Sequence, residues 1–159
     1  MRKRSKAREY ALQILYQVDI RHGDAGQLIQ EFWEGHAPTR DIKAFAEELV
    51  RGTTGHLGEI DPLLASYANN WSLKRMGMVD RNILRLGAFE LLFVEEIPPK
   101  VSINEAVELA KRFGDAESGK FVNGILDAIH KKSPRPRDPS PAPGGGATPS
   151  AGTDPTGPS

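Results

Sequence analysis

The sequence of 159 residues contains no cysteine, which excludes disulfides, thiolate metal sites and cysteine nucleophiles. Long apolar runs are also missing, since the longest one, residues 91–94, is far too short to span a bilayer. The charged amino terminus is not followed by the small-residue cleavage site of a secretory signal. From these absences we expect a cytoplasmic protein that does not associate with membranes.

The sequence lacks a net charge, because 21 Lys and Arg residues balance 21 Asp and Glu residues. The charges are nevertheless distributed unevenly, since residues 9–132 hold 14 bases and 19 acids. Residues 2–8, here called the basic arm, hold five bases and no acid, namely Arg2, Lys3, Arg4, Lys6 and Arg8. Such a cluster is typical of a segment that contacts nucleic-acid phosphates, although a solvated terminus or a contact with anionic lipid gives the same pattern.

Large apolar residues disappear from the sequence after residue 132. Residues 133–159 contain eight of the twelve prolines and no Val, Ile, Leu or aromatic residue, so they cannot bury enough surface to offset the entropy of ordering. We therefore predict one domain over residues 1–132 and a disordered Pro/Gly-rich tail over residues 133–159. An inert extension explains this tail better than a docking segment does, because the tail has no aromatic anchor.

The apolar residues of the predicted domain recur at helical spacing, and no segment alternates convincingly with the period of two that marks a strand. We predict an all-α bundle of about seven helices. The predicted helices cover approximately residues 7–20, 28–35, 42–52, 61–67, 79–94, 102–113 and 121–130, with a short additional turn at 72–76. Segment 79–94 is apolar nearly all round, which indicates a helix buried in the middle of the domain.

Local signals predict where some of these helices begin. Asp61 followed by Pro62 is typical of an N-cap with proline at the first helical position. Ser102 and Glu105 form the S-x-x-E pattern of a capping box. Glycine destabilises a helix interior, so the presence of Gly87 in a predicted helix indicates close packing or a helix end.

Residues that commonly carry catalysis or bind metals do not cluster in the sequence. The four histidines lack the spacing of metal ligands, and the glycine-rich segment 52–58 lacks both the Lys-Ser/Thr ending and the preceding strand of a phosphate-binding loop. Glu90 lies on an apolar helix face, where a structural partner such as an arginine is a better explanation than catalysis. We therefore expect a non-enzymatic protein with neither a metal nor a cofactor.

The first helix has two apolar faces. The stripe that defines its core-facing side consists of Ala7, Ala11, Ile14 and Val18. Tyr16 points almost directly away from this stripe, with Leu12 and Ile20 one turn to either side of it. Either the helix packs on two sides, or Tyr16 is an exposed ring beside a basic arm, where an RNA base can stack. The residues alone leave both interpretations open.

Five segments, in order along the chain, resemble a known family. They are residues 7–16 (AREYALQILY), 79–85 (VDRNILR), 97–101 (IPPKV), 103–114 (INEAVELAKRFG) and 120–127 (KFVNGILD). These segments are similar to the NusB (N-utilization substance B) family of transcription antitermination factors, and the resemblance extends over residues 1–132. The same domain resembles the N-terminal part of an rRNA cytosine methyltransferase, which would need catalytic cysteines and a following nucleotide-binding domain. The stand-alone factor fits this sequence better.

The resemblance implies an all-helical protein that binds the boxA element of nascent single-stranded RNA. It also implies pairing with NusE, a ribosomal small-subunit protein, within an antitermination complex with RNA polymerase that acts notably on rRNA operons. The residues implied for RNA binding are the five bases of the basic arm together with Gln13, Tyr16, Tyr67, Lys120 and Phe121. The residues implied for partner binding are Asp80, Arg85 and Glu117.

Two departures from the family pattern fall close together, since Glu117 stands where some relatives have Asp and Gly119 replaces a commonly seen His. Packing in the core is an alternative role for Phe121, which lies at the edge of an apolar stripe. At the level of function, the alternative is a scaffold that binds only proteins, with the basic arm serving for solubility. A homodimer is also compatible with the sequence.

Overall fold

The computed structural model describes residues 3–68 and 76–132. Arg2, the predicted tail and nearly all of the predicted turn at 72–76 lie outside the described residues. The described part contains seven α-helices and no strand, which confirms the predicted all-α fold. The helices are α1 (Lys3–Arg21), α2 (Ala25–Glu34), α3 (Arg40–Gly55), α4 (Leu57–Tyr67), α5 (Met78–Phe93), α6 (Pro99–Phe113) and α7 (Ser118–Lys132). No helix in this part of the chain is both long and apolar enough to cross a membrane.

Helix α5 lies at the centre of the bundle, as its apolar sequence predicts, and contacts α1, α3, α4, α6 and α7. Two glycines allow close packing around it. A Cβ atom at Gly87 would lie 2.6 Å from Leu126 Cδ1, and one at Gly52 would lie 2.0 Å from Phe89 Cζ. Because atoms cannot approach so closely, a side chain at either position would displace its neighbour. The expected close packing at Gly87 is therefore confirmed.

Helix α4 begins four residues earlier than predicted, at Leu57, so the N-cap assigned to Asp61 is wrong. The chain passes from α3 into α4 through the single residue His56, and Pro62 lies inside the helix. Proline lacks the backbone N–H that would donate to the carbonyl oxygen one turn back, so this hydrogen bond is missing from α4. Pro62 faces solvent and not the core. The Asp61 carboxylate accepts two hydrogen bonds of 2.8 Å from Arg85 on α5, so it links two helices and caps neither.

The predicted capping box of α6 is also wrong, because the helix begins at Pro99 with Pro98 as its N-cap residue. Ser102 and Glu105 therefore lie within the helix. The Ser102 hydroxyl donates a 2.9 Å hydrogen bond to Glu90 of α5, and Glu105 accepts a 2.7 Å hydrogen bond from Ser5 of α1. Both side chains connect α6 to its neighbours, and the S-x-x-E pattern reflects tertiary packing.

A hydrogen-bonded turn that the sequence analysis missed precedes α7. The backbone N–H of Asp115 donates to Ser118 Oγ at 2.9 Å, and the Asp115 carboxylate accepts from the Ser118 hydroxyl at 3.2 Å. The same carboxylate accepts a 2.9 Å hydrogen bond from the backbone N–H of Glu117. These bonds order the turn that leads into α7, which begins at Ser118, three residues before the predicted start.

Candidate nucleic-acid interface

The basic arm forms the first turns of α1 and lies against the acidic body. Lys3 Nζ is 3.4 Å from Asp41 Oδ2 on α3, and Arg4 Nη2 is 2.9 Å from Glu96 Oε2 between α5 and α6. The Arg4 guanidinium also lies 4.5 Å from the centre of the Phe45 ring. At least half of each charged side chain in the two pairs is exposed. Such pairs contribute little to stability, so an external anion can replace their carboxylates.

Lys6 also keeps its ammonium group at the surface. Its Nζ lies 3.7 Å from Glu9 Oε1 and 5.0 Å from the centre of the Tyr10 ring. Glu9 itself is buried and accepts a second interaction from Arg112 on α6. Lys6 is thus a supplementary partner of this carboxylate, and it remains available to a phosphate group together with the bases of the preceding turn.

Arg8 corrects the predicted composition of the RNA surface, because only 3% of its surface is exposed. Its Nε and Nη2 donate hydrogen bonds of 2.8 Å to the two carboxylate oxygens of Glu90, and its Nη1 donates one of 3.4 Å to Glu105. Burial alone would lower the pKa of Arg8, but its bonds with and attraction to Glu90 and then Glu105 outweigh burial and raise this pKa. The prediction that Arg8 contacts RNA is therefore wrong, and the expected arginine partner of Glu90 is confirmed.

Gln13 and Tyr16 lie beside an open groove of about 460 Å³ on the outer side of α1. Its lining comes from α1, α2, the start of α5 and the end of α6 and consists of Leu12, Gln13, Ile14, Tyr16, Gln17, Arg21, Leu28, Glu31, Phe32, Val79 and Phe113. The second apolar strip of α1 passes from the core towards solvent, since Leu12 is 5% exposed and Ile20 is 44% exposed. Tyr16 lies between them, is half-buried and lines the groove. The strip therefore packs against the core at Leu12, and the stacking of an RNA base on Tyr16 stays a prediction.

Tyr67, Lys120 and Phe121 come together at a second opening, here called the α4–α7 depression. This shallow cavity of about 580 Å³ is lined by Ser66, Tyr67, Ala68, Lys120, Phe121, Gly124, Ile125, Ala128 and Lys132. Tyr67 and Phe121 are half-buried and pack against the core, whereas Lys120 is exposed. Among the residues that the structure describes, the lining contains two lysines and no carboxylate, although residues 9–132 as a whole have more acids than bases.

Lys132 is the residue of this depression that the sequence analysis missed. Its Nζ lies 5.9 Å from the centre of the Tyr67 ring. Lys120, Gly124, Ala128 and Lys132 follow one another at intervals of four residues, which places them on a strip that winds by about 120° around α7. This spacing is visible in the sequence. Since Lys120 was predicted to bind RNA, the same spacing predicts that Lys132 lies near it.

The three predicted partner-binding residues occupy different environments. Asp80 is half-buried in the first turn of α5, where its negative charge complements the helix dipole. Glu117 is exposed in the turn that leads into α7, and its carbonyl oxygen accepts the backbone N–H of Phe121 at 3.1 Å. This bond places Glu117 one helical turn before the α4–α7 depression.

Arg85 takes part in a polar network that joins α1, α4 and α5. In addition to its two hydrogen bonds with Asp61, its Nη1 lies 3.4 Å from Asp19, which also accepts hydrogen bonds from Arg81 and Asn82. Burial raises the pKa of Asp19, but the hydrogen bonds from Asn82 and Arg81 and the two guanidinium charges outweigh it and lower this pKa. Arg85 thus contributes to the fold, and its contact with a partner stays a prediction.

Residues 3–68 and 76–132 contain no group of three or more histidine or acidic side chains that could hold a metal ion. The features that stand out are the exposed bases of the arm, the groove beside Tyr16 and the α4–α7 depression. An all-helical bundle that presents aromatic rings and cations at such openings is typical of a binding domain. The class of protein that the fold and surfaces define is therefore a small helical binding module.

Comparison with known proteins identifies the family. The model of the NusB family matches residues 5–131, and the chain belongs to this family. It is 44% identical over 138 residues to the transcription antitermination protein NusB of Syntrophus aciditrophicus, covering 87% of this chain and 86% of the relative. It is 47% identical over 133 residues to the NusB of Myxococcus xanthus, covering 81% of this chain and 95% of the relative.

Solved structures agree with this assignment. The fold is similar to that of T. maritima NusB, with a TM-score of 0.76 and 42% identity over 81% of this chain and 91% of that one. It is also similar to a protein in a crystal structure of the antitermination factors NusB and NusE in complex with dsRNA, with a TM-score of 0.75 and 38% identity over 82% of this chain and 98% of that one. The predicted family membership is thus confirmed.

Proposed function

We propose that this protein is an RNA-binding transcription antitermination factor. It binds boxA-type single-stranded RNA together with a ribosomal small-subunit protein of the NusE type, within an RNA polymerase complex that promotes transcription of rRNA operons. The observation that carries the proposal is the α4–α7 depression, where Tyr67 meets Lys120 and Phe121, more than fifty residues away in the sequence. The names of the relatives and the NusB–NusE–dsRNA structure support it.

The surface chemistry suits a single strand of RNA. Unpaired bases stack on aromatic rings, while lysine and arginine neutralise the phosphates between them. The groove beside Tyr16 and the α4–α7 depression each offer an aromatic ring, and the exposed arm and Lys120 offer cations. Because Arg8 is buried inside the fold, four bases of the arm remain to bind phosphates: Arg2, Lys3, Arg4 and Lys6.

The charge distribution also favours a second protein in the complex. The acidic excess of residues 9–132 opposes the approach of RNA, so the affinity of the isolated chain for RNA is modest. The same excess attracts a basic protein such as one that belongs to a ribosome. A partner that covers carboxylates and adds its own cations tightens RNA binding, and Asp80 and Glu117 are the acidic residues that we assign to that contact.

The test replaces all four available arm bases by glutamine and measures binding of boxA RNA and of the NusE-type protein separately. Deletion of residues 1–8 is unsuitable, because it removes Arg8 from the core. We expect RNA binding to weaken at least tenfold, while partner binding and the unfolding transition stay as in the parent protein. Unchanged RNA binding, or loss of partner binding alone, would favour the protein-only scaffold. Because the related complex contains dsRNA, a duplex of the same sequence serves as competitor, and we expect the single strand to bind more tightly.

A further inference from the structure

Gly124 occupies the interior of α7, where it is the seventh residue of a fifteen-residue helix. Glycine at such a position destabilises a helix relative to alanine, because it has more freedom to lose on folding. The helix-interior glycines Gly52 and Gly87 are explained by packing, since a Cβ atom there would collide with Phe89 or Leu126. At Gly124 a Cβ atom would meet no heavy atom of the described residues within 4 Å. Packing within the described fold therefore does not account for this glycine.

The open side of Gly124 faces the α4–α7 depression. Gly124 and Ala128 form a floor of small residues on α7, between Lys120 and Lys132, which line the same depression. These lysines lie twelve residues apart, or about 18 Å along the helix axis. Tyr67 and Phe121 line the same cavity. The two lysine side chains are exposed, and the described part of the lining includes no carboxylate, so its charge complements an anionic ligand.

We propose that this depression is a nucleotide subsite, in which one unstacked RNA base lies over Gly124 and Ala128. The base stacks on Tyr67 or Phe121, and Lys120 and Lys132 bind the phosphates before and after it. Glycine is required at residue 124 because the base approaches the helix backbone more closely than a Cβ atom permits. This inference rests on the proposed RNA-binding function, and it adds Gly124, Ala128 and Lys132 to the RNA contacts.

The test measures stability and RNA binding in the same variants of the full chain. Gly124→Ala and Gly124→Leu both introduce strong helix formers at a position where a Cβ atom meets none of the described residues within 4 Å. We expect the alanine variant to raise the melting temperature by roughly 2–5 °C. RNA binding is measured with a fluorescein-labelled boxA RNA in the presence of the NusE-type protein. We expect the leucine variant to bind this RNA about 5- to 150-fold more weakly, because that is the effect of losing one stacked base. The alanine variant weakens RNA binding at least threefold.

Two matched controls separate the subsite from general effects. Gly58, in the first turn of α4, also faces open space, so Gly58→Leu tests whether any exposed glycine affects RNA binding. Lys131 forms a 3.0 Å ion pair with Asp127, whereas Lys132 lies beside Tyr67. We expect Lys132→Ala to weaken RNA binding at least threefold more than Lys131→Ala, although each removes one positive charge.

Each outcome decides between the proposals. If the parent protein binds RNA and Gly124→Leu binds it equally well, the subsite is wrong and the proposed function stands. If Gly124→Leu weakens binding of the NusE-type protein and leaves RNA binding unchanged, the depression is a protein contact and the subsite is again wrong. A lower melting temperature in Gly124→Ala would contradict the open space on which the inference depends. If the parent protein fails to bind RNA even with the partner, both proposals fail.

Discussion

The sharpest prediction concerns Arg8, which lies among the bases of the arm but belongs to the core. Replacement by alanine removes the bidentate partner of Glu90 and leaves a carboxylate that is 1% exposed. The hydroxyl of Ser102 also donates a hydrogen bond of 2.9 Å to that carboxylate. Loss of one member of a buried ion pair typically destabilises a protein by about 3–5 kcal/mol, because the other charge still pays for burial but loses the attraction of its partner. We therefore expect Arg8→Ala to lose a large part of the stability of a domain whose total is of the order of 5–15 kcal/mol.

Urea unfolding measures this effect, with Arg4→Ala as the matched control. Arg4 forms an exposed ion pair, so its removal should change the free energy of unfolding by less than about 1 kcal/mol. Arg8→Lys provides a second comparison, since it keeps the charge but cannot make the bidentate contact. We expect the lysine variant to be destabilised as well, while the folded protein retains its RNA affinity.

The opposite pattern would refute the assignment of Arg8 to the core. In that case Arg8→Ala would unfold at the same urea concentration as the parent protein and would lose RNA affinity. Arg8→Lys would then restore binding, because a lysine serves a phosphate contact nearly as well as an arginine. RNA affinity is compared in the absence of urea, under conditions where circular dichroism shows each variant to be folded.

Three further predictions concern the surface and the polar network. Glu96→Gln frees Arg4 from its carboxylate, so RNA affinity measured by fluorescence anisotropy should rise about two- to fivefold at low salt and converge with the parent at high salt; a decrease would show that Glu96 orients Arg4 for binding. Tyr16→Ala should weaken RNA binding by about 1–3 kcal/mol through lost stacking and leave a cooperative unfolding transition, whereas an unfolded variant would show that Tyr16 is core. The lowered pKa of Asp19 contributes stability that is fully present above its ordinary value of 3.8 and is lost as the pH falls through the lowered pKa. Asp19→Asn should therefore flatten the acid side of the stability profile, and an unchanged profile would contradict this role.

The fold followed from the sequence wherever apolar spacing determined it. The central position of α5 was predictable because its residues are apolar all round, and a helix of that kind must be surrounded. The predicted starts of α4 and α6 failed for a common reason. Asp61 and Ser102 are good capping residues, but each finds a tertiary partner, Arg85 or Glu90, that is invisible to a local pattern.

The site was predictable in part, and the errors have a physical origin. A count of bases cannot distinguish Lys3 at the surface from Arg8 in the core. Arg8 is buried because it pairs with Glu90, and this pairing appears only when α5 packs against α1. The meeting of Tyr67 with Phe121 depends on the contact between α4 and α7, which periodicity does not specify. The role of Gly124 required the structure as well, since its meaning lies in the contrast with the packed glycines at 52 and 87.

A titration of labelled boxA RNA with the full chain, with and without the NusE-type protein, tests the central claim most directly. We expect binding that the partner tightens. For the chain alone, the slope of log affinity against log salt concentration should be about −3.5 if five phosphates are neutralised by the remaining arm bases and Lys120 at about −0.7 each. It should be about −4.2 if Lys132 binds a sixth phosphate. A partner that binds the chain while RNA binds neither the chain nor the pair would contradict the account and leave a protein-only scaffold.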